Sequence, residues 1–311
     1  MLIHIWNRCH GCETAPIIGI RHFCTSCPDG PENDLCVTCF QKYTKGELAH
    51  PPAHALGASG TGPHIFEACE GQPEENFKPW LDIPMAEGIA PKINPGLLVR
   101  PEFLSGYEST FAGYGFAARW QEKTLVLTAL HVMDEMVRKK SLNLRSERVT
   151  GRELPDVITK VNLYDVLAQR WMLSDLGTAG PMLILPRARL GVPEPDSFAD
   201  IAAFEASANL NLKPAELAEA PPQPGEPIWL AAALPQQGHV QKAVVVASED
   251  HGLIFRYQDL EEKVKYSSGA PLLNERGQVV ALNVGGGWYK GHRFGHANHV
   301  GNIRIHLSDC G

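Results

Sequence analysis

The sequence predicts a mainly β protein in which a small metal-stapled N-terminal module precedes a β-barrel or β-sandwich domain with a short C-terminal helix. Six of the eight cysteines lie between Cys9 and Cys39, in a stretch that is poor in long apolar runs. From residue 95 onward, short apolar runs alternate with Gly/Pro turn signals, a pattern typical of many short strands. We therefore expect the module at residues 1–56, a linker rich in Gly, Pro, Glu and Ala at 57–94, and the β domain at 95–311.

The β domain contains nine candidate strands and few helices. Helices are expected only just after Thr128, around Pro214–Glu219 and near the C-terminus. The candidate strands are Gly113–Trp120, Thr124–Thr128, Val157–Tyr164, Ile201–Phe204, Pro227–Ala232, Gln241–Ser248, Gly252–Tyr257, Pro271–Leu273 and Val279–Val284.

Composition and charge exclude several functional classes. The net charge is −7 and no Lys/Arg run stands out, so a nucleic-acid-binding surface is not indicated. No stretch approaches the ~20 apolar residues of a membrane helix, so no membrane contact is expected. The N-terminus is too short and polar for a secretory segment, and clustered cysteines suit metal in a reducing compartment. We predict a cytoplasmic protein; a mature form that has lost a signal peptide is the alternative.

The N-terminal module carries eight potential metal ligands. Zinc prefers four tetrahedral thiolate or imidazole ligands, and fully ligated sites are structural. Eight side chains of these types therefore predict two structural Zn²⁺ ions, which such a small domain needs because it can bury little apolar surface. The pattern reads Cys9-x2-Cys12-x11-Cys24-x2-Cys27-x8-Cys36-x2-Cys39-x10-His50-x3-His54.

This pattern, with its Asp34-Leu-Cys36 segment, resembles a ZZ-type zinc finger over about residues 3–55. Sequential pairing of the ligands is the alternative to the cross-brace of that family. The resemblance implies one zinc on Cys9, Cys12, Cys36 and Cys39, and the other on Cys24, Cys27, His50 and His54.

ZZ fingers are binding modules, and several capture a peptide N-terminus with acidic residues near the first zinc. Asp29 and Asp34 match two of the acidic positions, whereas His10 stands at the third. The resemblance therefore implies a peptide or protein ligand. The alternative role of both aspartates is turn formation and support of the metal ligands.

Three motifs in the β domain supply the chemistry of nucleophilic catalysis. Thr128-Ala-Leu-His131 follows an apolar strand and offers a general base, and Asp200 opens the run Asp200-Ile-Ala-Ala-Phe204. Tyr266-Ser-Ser-Gly-Ala-Pro-Leu272 offers Ser268 as a nucleophile. Asp175, in Ser174-Asp-Leu-Gly177, is the alternative acid.

These motifs and their order resemble those of trypsin-like serine proteases, of the bacterial intracellular type, over about residues 100–308. The resemblance implies a chymotrypsin-like double barrel and a peptide-bond hydrolase. His131, Asp200 and Ser268 would be its catalytic residues.

The family pattern also implies an oxyanion hole built from the backbone N–H groups of Tyr266 and Ser268. A glycine is usual at the first position, so a side chain there predicts a hole that substrate or an activator completes. Ser267 replaces the aspartate that pairs with a newly cut N-terminus in digestive relatives, so we expect that activation route to be absent.

The primary substrate pocket is predicted from its place in the family pattern. Glu261 and Glu262 fall near its expected floor, with a solvated turn as the alternative. Gly285 and Gly286 are expected to leave its walls open.

The predicted function is a regulated intracellular serine endopeptidase that cleaves protein substrates. The ZZ module would recognise a peptide or protein substrate or a trigger, in bacterial stress or antiviral defence. The alternative is a protein-binding adaptor with an inactive protease-like domain, and Tyr266 is the feature that favours it.

Overall fold

In the computed structural model, the chain forms two compact units. The first unit comprises Met1–Asp82 with Gly286–Phe294, and the second comprises Ile83–Gly285 with Gly295–Gly311. Across the described part of the chain, no helix combines the length and apolarity that a membrane span requires. The described residues are 1–25, 34–48, 64–106, 108–133, 136, 152–166, 174–189, 196–233, 239–259 and 267–310.

The first unit contains two three-stranded sheets, in the orders β2-β1-β6 and β4-β3-β5. One buried cluster of this unit consists of Cys9, Ile17, Leu35 and Cys39, and two of these four residues are potential metal ligands. The elements are β1 (Leu2–His4), β2 (Ile17–Ile18), β3 (Arg21–Cys24), β4 (Asp34–Cys36), α1 (Val37–Thr44), β5 (Phe66–Cys69), β6 (Gln72–Pro73), a 3-10 helix (Glu74–Asn76) and α2 (Lys78–Asp82).

Residues 64–82, which the sequence assigns to the linker, carry four of these elements. Phe66 on β5 packs against Phe40 and Tyr43, with ring centroids 5.3 and 5.1 Å apart. Phe77 packs edge-on against Trp80 at 4.9 Å. Aromatic burial of this kind explains why a segment with a loop-like composition is ordered here. The domain boundaries stay a prediction, and residues 57–63 lie outside the described ranges.

The second unit contains a closed barrel with the strand order β15-β16-β17-β20-β19-β18. Its strands are β15 (Pro227–Ala231), β16 (Val240–Glu249), β17 (Gly252–Tyr257), β18 (Pro271–Leu273), β19 (Val279–Tyr289) and β20 (His292–His299), and helix α4 (Val300–Ser308) ends the chain. Closure leaves this barrel without exposed sheet edges, which gives its strands a fixed register.

An eight-stranded sheet precedes the barrel in the chain, with the main order β12-β11-β7-β9-β10-β13. Strand β8 pairs with β7 and β14 pairs with β9. Its elements are β7 (Leu98–Ser105), β8 (Glu108–Phe111), β9 (Gly115–Trp120), β10 (Lys123–Thr128), a 3-10 helix (Leu130–Met133), α3 (Leu154–Val157), β11 (Lys160–Asp165), β12 (Ser174–Thr178), β13 (Ala202–Glu205) and β14 (Ala215–Glu216).

The mainly β fold with a short C-terminal helix is confirmed, and several elements differ from the predictions, including strands β8, β12 and β20, which were not predicted. The helix predicted around Pro214–Glu219 is wrong, because Ala215–Glu216 pairs with β9 and the Leu217 and Ala218 carbonyls accept hydrogen bonds from Arg304. Strand β7 was not predicted, since Pro101 interrupts its apolar pattern. Strand β19 runs five residues beyond the predicted end, to Tyr289.

Candidate active site and zinc cluster

Strand pairing brings the candidate base and acid together. Strand β10 ends at Thr128, whose Oγ1 donates a 2.6 Å hydrogen bond to the Tyr114 carbonyl. His131 follows on the short 3-10 helix. Strand β13 pairs antiparallel with β10, with Thr128 opposite Ala202, so Asp200 just before β13 lies beside His131. The Thr-Ala-Leu-His motif thus fixes the turn, and the register of two strands supplies the carboxylate.

The Asp200 carboxylate holds His131 at two points. His131 Nδ1 lies 2.6 Å from Oδ2, and the His131 backbone N–H donates to Oδ1 at 2.9 Å. The carboxylate is only 6% exposed. Burial alone would raise the pKa of Asp200, but the charge of His131 and its hydrogen bonds outweigh burial, and the net pKa is lowered. The ionised Asp200 carboxylate, which accepts two hydrogen bonds from His131, fixes the orientation of the imidazole. The ring nitrogen Nε2 then points away from Asp200, as a general base requires.

Ser268 lies on a tight turn that only glycine can follow. Gly269 has φ +83°, and a Cβ at this position would overlap the Tyr114 carbonyl oxygen. The Ser268 carbonyl in turn accepts a 2.7 Å hydrogen bond from the Tyr114 N–H. Ser268 is half-buried, and its Oγ donates to the Val284 carbonyl at 3.0 Å. The Ser268 side chain is therefore held by β19 in this state.

Asp175, the alternative acid, has a local role. Its Oδ1 accepts a 2.8 Å hydrogen bond from the Gly177 N–H within β12. Of the two candidate aspartates, Asp200 is the one that hydrogen-bonds His131.

His296 is a buried histidine near His131 and Asp200 that the sequence analysis missed. Its Nδ1 lies 2.8 Å from Ser197 Oγ. Burial lowers the pKa of His296 to about 4, with smaller opposing effects from Asp200, which raises it, and His131, which lowers it. No motif signals this residue, because it lies on β20, a strand the sequence pattern did not predict.

The predicted pocket residues are only partly described. A Cβ on half-buried Gly285 would lie 2.6 Å from His296 Nε2, so the histidine fills the space that the missing side chain leaves. Gly286 is exposed on β19. Tyr266, Glu261 and Glu262 lie outside the described residues.

Four cysteines of the first unit converge on one point. The Sγ atoms of Cys9, Cys12, Cys36 and Cys39 all lie within 4.8 Å of one another, and those of Cys12 and Cys36 are 3.9 Å apart. A tetrahedral zinc with bonds of ~2.3 Å places its sulfurs about 3.8 Å apart. Thiolates at this spacing fit zinc, and the cross-brace grouping, rather than the sequential one, matches this convergence.

The second predicted site is described at one ligand only. Cys24 is fully buried at the end of β3, while Cys27, His50 and His54 lie outside the described residues.

His64, which the sequence analysis did not consider as a ligand, lies near this cysteine, with Nδ1 3.6 Å from Cys24 Sγ. It comes ten residues after His54 in the sequence. The pairing of β5 with β3, with Phe66 opposite Cys24, brings it there.

Asp34, one of the two acidic peptide-binding candidates, has protein partners. Its Oδ1 lies 3.4 Å from Arg21 Nη1, and its Oδ2 accepts from Asn7 Nδ2 at 3.0 Å. Asp34 and Arg21 are 6% and 1% exposed. The Asp34 carboxylate is therefore the partner of the buried Arg21 charge, which is a structural role. Its predicted role, like that of Asp29 outside the described residues, stays a prediction.

Comparison with known families agrees with both parts of the chain. The ZZ-type zinc finger family matches residues 3–48, and the trypsin-like peptidase domain family matches residues 113–282. The second match spans more than half of the chain and includes His131, Asp200 and Ser268. The chain belongs to the trypsin-like peptidase family and carries a ZZ-type zinc finger ahead of the protease domain.

Individual relatives are distant. The E3 ubiquitin-protein ligase HERC2 of Mus musculus is 28% identical over 98 residues, which is 30% of this chain and 2% of that protein. The active form of the Rv3671c protease from M. tuberculosis has 14% identity and a TM-score of 0.43, covering 73% of this chain and 91% of that one. The serine endoprotease from Yersinia pestis has 15% identity and a TM-score of 0.43, covering 75% and 66%. Likeness at this level carries no inference about activity.

Proposed function

We propose that His131, Asp200 and Ser268 form the catalytic triad of an endopeptidase that cleaves protein substrates. The observation that carries the proposal is the double hydrogen bond between His131 and the buried Asp200 carboxylate. Membership of the trypsin-like peptidase family supports it, because that family uses these residue types in this chain order.

In the proposed reaction, Ser268 Oγ attacks the scissile carbonyl while His131 Nε2 accepts its proton. His131 then returns the proton to the leaving amine. In the second half-reaction His131 accepts a proton from a water molecule as that water attacks the acyl-enzyme, and returns it to Ser268 Oγ as the ester bond breaks. Asp200 stabilises the imidazolium that forms. Because Ser268 Oγ donates to the Val284 carbonyl in the described state, this bond must break before the hydroxyl can donate to His131.

Covalent labelling tests the nucleophile directly. A fluorophosphonate probe should label the wild-type protein at Ser268 and should not label Ser268→Ala. Failure of the wild type to label, when cleavage of protein substrates is also absent, would favour the adaptor alternative.

The two aspartates provide a matched test of the acid. Asp200→Asn should lower kcat about 10⁴-fold, because an amide at this position favours the wrong imidazole tautomer. Asp175→Asn, on the other candidate, should stay near the wild-type rate. Equal losses in the two variants would contradict the assignment of Asp200.

We propose that the first unit binds two structural zinc ions. Cys9, Cys12, Cys36 and Cys39 would hold one, supported by the convergence of their sulfurs. Cys24 and Cys27 would hold the other together with two imidazoles. His50 and His54 are the sequence-based candidates, and the short distance from Cys24 supports His64 as a third. Zinc here supplies folding free energy and takes no part in hydrolysis.

Zinc analysis of single variants separates these candidates. Elemental analysis of the purified protein should give two zinc ions per chain. Alanine at a true ligand should weaken one of the two ions toward a chelator, whereas alanine at the surplus histidine should leave both unchanged. A His64→Ala protein that holds both ions as tightly as the wild type would exclude His64.

We propose that the zinc-binding unit regulates hydrolysis through the tip of the β19–β20 hairpin, which belongs to the first unit. Tyr289 Oη donates to Glu74 Oε1 at 3.1 Å, and Lys290 Nζ lies 2.9 Å from the same oxygen. The Trp288 N–H donates to the Ile5 carbonyl at 3.3 Å. Strand β19 also carries the Val284 carbonyl, which accepts from Ser268 Oγ, so the hairpin tip and this hydrogen-bond acceptor lie on one continuous strand.

The Glu74 contacts can be removed without touching a metal ligand. Glu74→Gln should change kcat/KM by up to about fivefold, because it removes the charged partner of Lys290 at the hairpin tip. Glu67→Gln, which changes an exposed glutamate on β5 of the same unit, is the matched control. Indistinguishable kinetics for both variants and the wild type would count against regulation through this hairpin.

A peptide or protein ligand for the ZZ module, a cytoplasmic location and a role in bacterial stress or antiviral defence are further parts of the proposal. The support is the combination of a ZZ-type module with a protease domain in one chain. N-terminal sequencing of the products of a proteome digest would identify substrates and cleavage specificity together. An unchanged product profile after the ZZ module is disrupted would argue that the module does not select substrates.

A further inference from the structure

We infer that Asn283 is a positioning residue that aims the Ser268 N–H at the developing oxyanion of the substrate. It does so by holding the peptide bond that precedes the nucleophile. The inference rests on the proposed catalytic role of Ser268 and adds a residue that neither the sequence motifs nor the family pattern indicates.

Asn283 on β19 holds the nucleophile turn from both of its ends. Its backbone N–H donates to the Ala270 carbonyl at 2.9 Å, and its carbonyl accepts from the Gly269 N–H at 2.8 Å. Its side-chain Nδ2 donates to the Ser267 carbonyl at 3.0 Å and to Ser267 Oγ at 3.1 Å. The backbone bonds are those of a strand continuing its ladder, which any residue could form. The side-chain bonds are specific to asparagine.

The Ser267 carbonyl accepts from two donors, the Asn283 side chain at 3.0 Å and the Ala270 N–H at 3.0 Å, and together these bonds set the direction of the Ser268 N–H. The peptide group is planar and trans, so the carbonyl of one residue and the N–H of the next point in opposite directions. Fixing the Ser267 oxygen therefore fixes the Ser268 N–H on the other side of the same plane. This N–H is one of the two expected oxyanion donors, and such donors act by being oriented before the reaction starts.

The burial of Asn283 supports a functional reason for the amide. The residue is 2% exposed, and its Oδ1 is buried without a hydrogen-bond partner. A buried carbonyl left unpaired costs about 1–3 kcal/mol, whereas a leucine of similar size would carry no such cost. Stability of the barrel alone would favour the apolar residue. The donor toward Ser267 is the property that only the amide supplies.

The identity of Ser267 is consistent with this role of Asn283. Ser267 stands where digestive relatives carry an aspartate that pairs with a newly cut N-terminus. A neutral amide that holds the Ser267 carbonyl requires no cleavage and no charge. Asn283 would therefore orient the Ser268 N–H in the uncleaved chain, leaving the other expected donor, at Tyr266, as the one open to regulation.

Two variants of Asn283 and one matched control test the inference. Asn283→Leu removes the donor with little change in size, and Asn283→Asp replaces the donor with an oxygen in the same shape. Gln241→Leu is the control. Gln241 is also fully buried in the barrel, its Nε2 donates to the Asp259 backbone carbonyl, and its Oε1 has no hydrogen-bond partner. All three are made in the full-length chain, and if the leucine variant does not fold, the aspartate variant carries the test.

The measurements separate positioning from general damage. For both Asn283 variants we expect kcat on a peptide substrate to fall about 10- to 100-fold with KM within twofold of the wild type. The affinity for a peptide boronate, whose tetrahedral adduct uses the oxyanion hole, should fall in parallel with kcat. Gln241→Leu should lower the unfolding midpoint or leave it unchanged and keep kcat within twofold.

The outcomes that overturn the inference are distinct from failure of the proposed triad. If the wild type hydrolyses substrate, Ser268→Ala abolishes hydrolysis and both Asn283 variants keep the wild-type kcat, the positioning role is refuted while the triad stands. A change in KM with constant kcat would refute it equally. If the wild type neither hydrolyses substrate nor labels at Ser268, both proposals fall together.

Discussion

Mild acid should destabilise this protein through His296, and the substitution His296→Gln should remove that part of the effect. Burial lowers the pKa of this imidazole to about 4, compared with 6.5 for the free side chain. In the fold, the neutral ring is held by Ser197 through Nδ1. Between these two pH values the unfolded chain binds a proton that the folded chain does not, so the free energy of unfolding falls as the pH drops across this window.

The magnitude follows from the two pKa values. The separation between 6.5 and about 4 corresponds to about 3 kcal/mol once the pH is below both. At pH 5 the folded ring is still neutral and the unfolded one is protonated, so about 2 kcal/mol of the effect is already present. At pH 7.5 both states are neutral at this residue, and the contribution is close to zero.

Urea denaturation at pH 7.5 and pH 5, followed by tryptophan fluorescence, measures this loss. The wild type should lose about 2 kcal/mol more between the two pH values than His296→Gln. The control is His292→Gln, on an exposed residue of the same strand, which should behave as the wild type. Other buried histidines, such as His299 and His306, have lowered pKa values and contribute equally to all three proteins. The same pH dependence in wild type and His296→Gln would refute the reasoning.

Two further substitutions, each with a matched control variant, and a chelation experiment test the nucleophile turn and the zinc cluster. Gly269→Ala should abolish labelling of Ser268 and destabilise the protein by several kcal/mol, because the new Cβ meets the Tyr114 carbonyl. Gly277 has a similar positive φ, but a Cβ there would lie 3.9 Å from its nearest neighbour, so Gly277→Ala should lower the free energy of unfolding by only about 1–2 kcal/mol. Equal losses in the two glycine variants would contradict the close-contact argument. Cys12→Ser should lower the zinc content by one ion per chain, whereas Cys310→Ser should not, and full zinc retention by the first would exclude Cys12 as a ligand. Chelation of zinc should unfold the first unit and leave the urea transition of the second unit unchanged. A single urea transition shared by both units would contradict this expectation.

Much of the fold and of the candidate site could be predicted, because local motifs carry them. The Thr-Ala-Leu-His131 segment has both its strand and its turn encoded within a few residues. The glycine after Ser268 reports a backbone conformation that other residues tolerate poorly. The Cys-x2-Cys spacing reports a turn in which two sulfurs can reach one ion. Signals of this kind can be recognised without knowing what the distant parts of the chain do.

Other features had no local signal. His64 meets Cys24 across forty residues, through the pairing of two short strands. Asn283 meets Ser267 through a strand that reads as ordinary apolar sequence. The helix predicted around Pro214–Glu219 was wrong because backbone partners supplied by β9 and Arg304 outweighed the local helical preference.

The sequence by itself determined which chemical groups are available: clustered thiolates and imidazoles for metal, and a histidine, an aspartate and a serine in the chain order of trypsin-like peptidases. Only the tertiary structure decided which of them meet. It paired Asp200 rather than Asp175 with His131, and it grouped Cys9 and Cys12 with Cys36 and Cys39. The physical reason is strand pairing, since a shift of one residue between paired strands moves every side chain to the opposite face, and which distant strands pair is decided only when the whole chain folds.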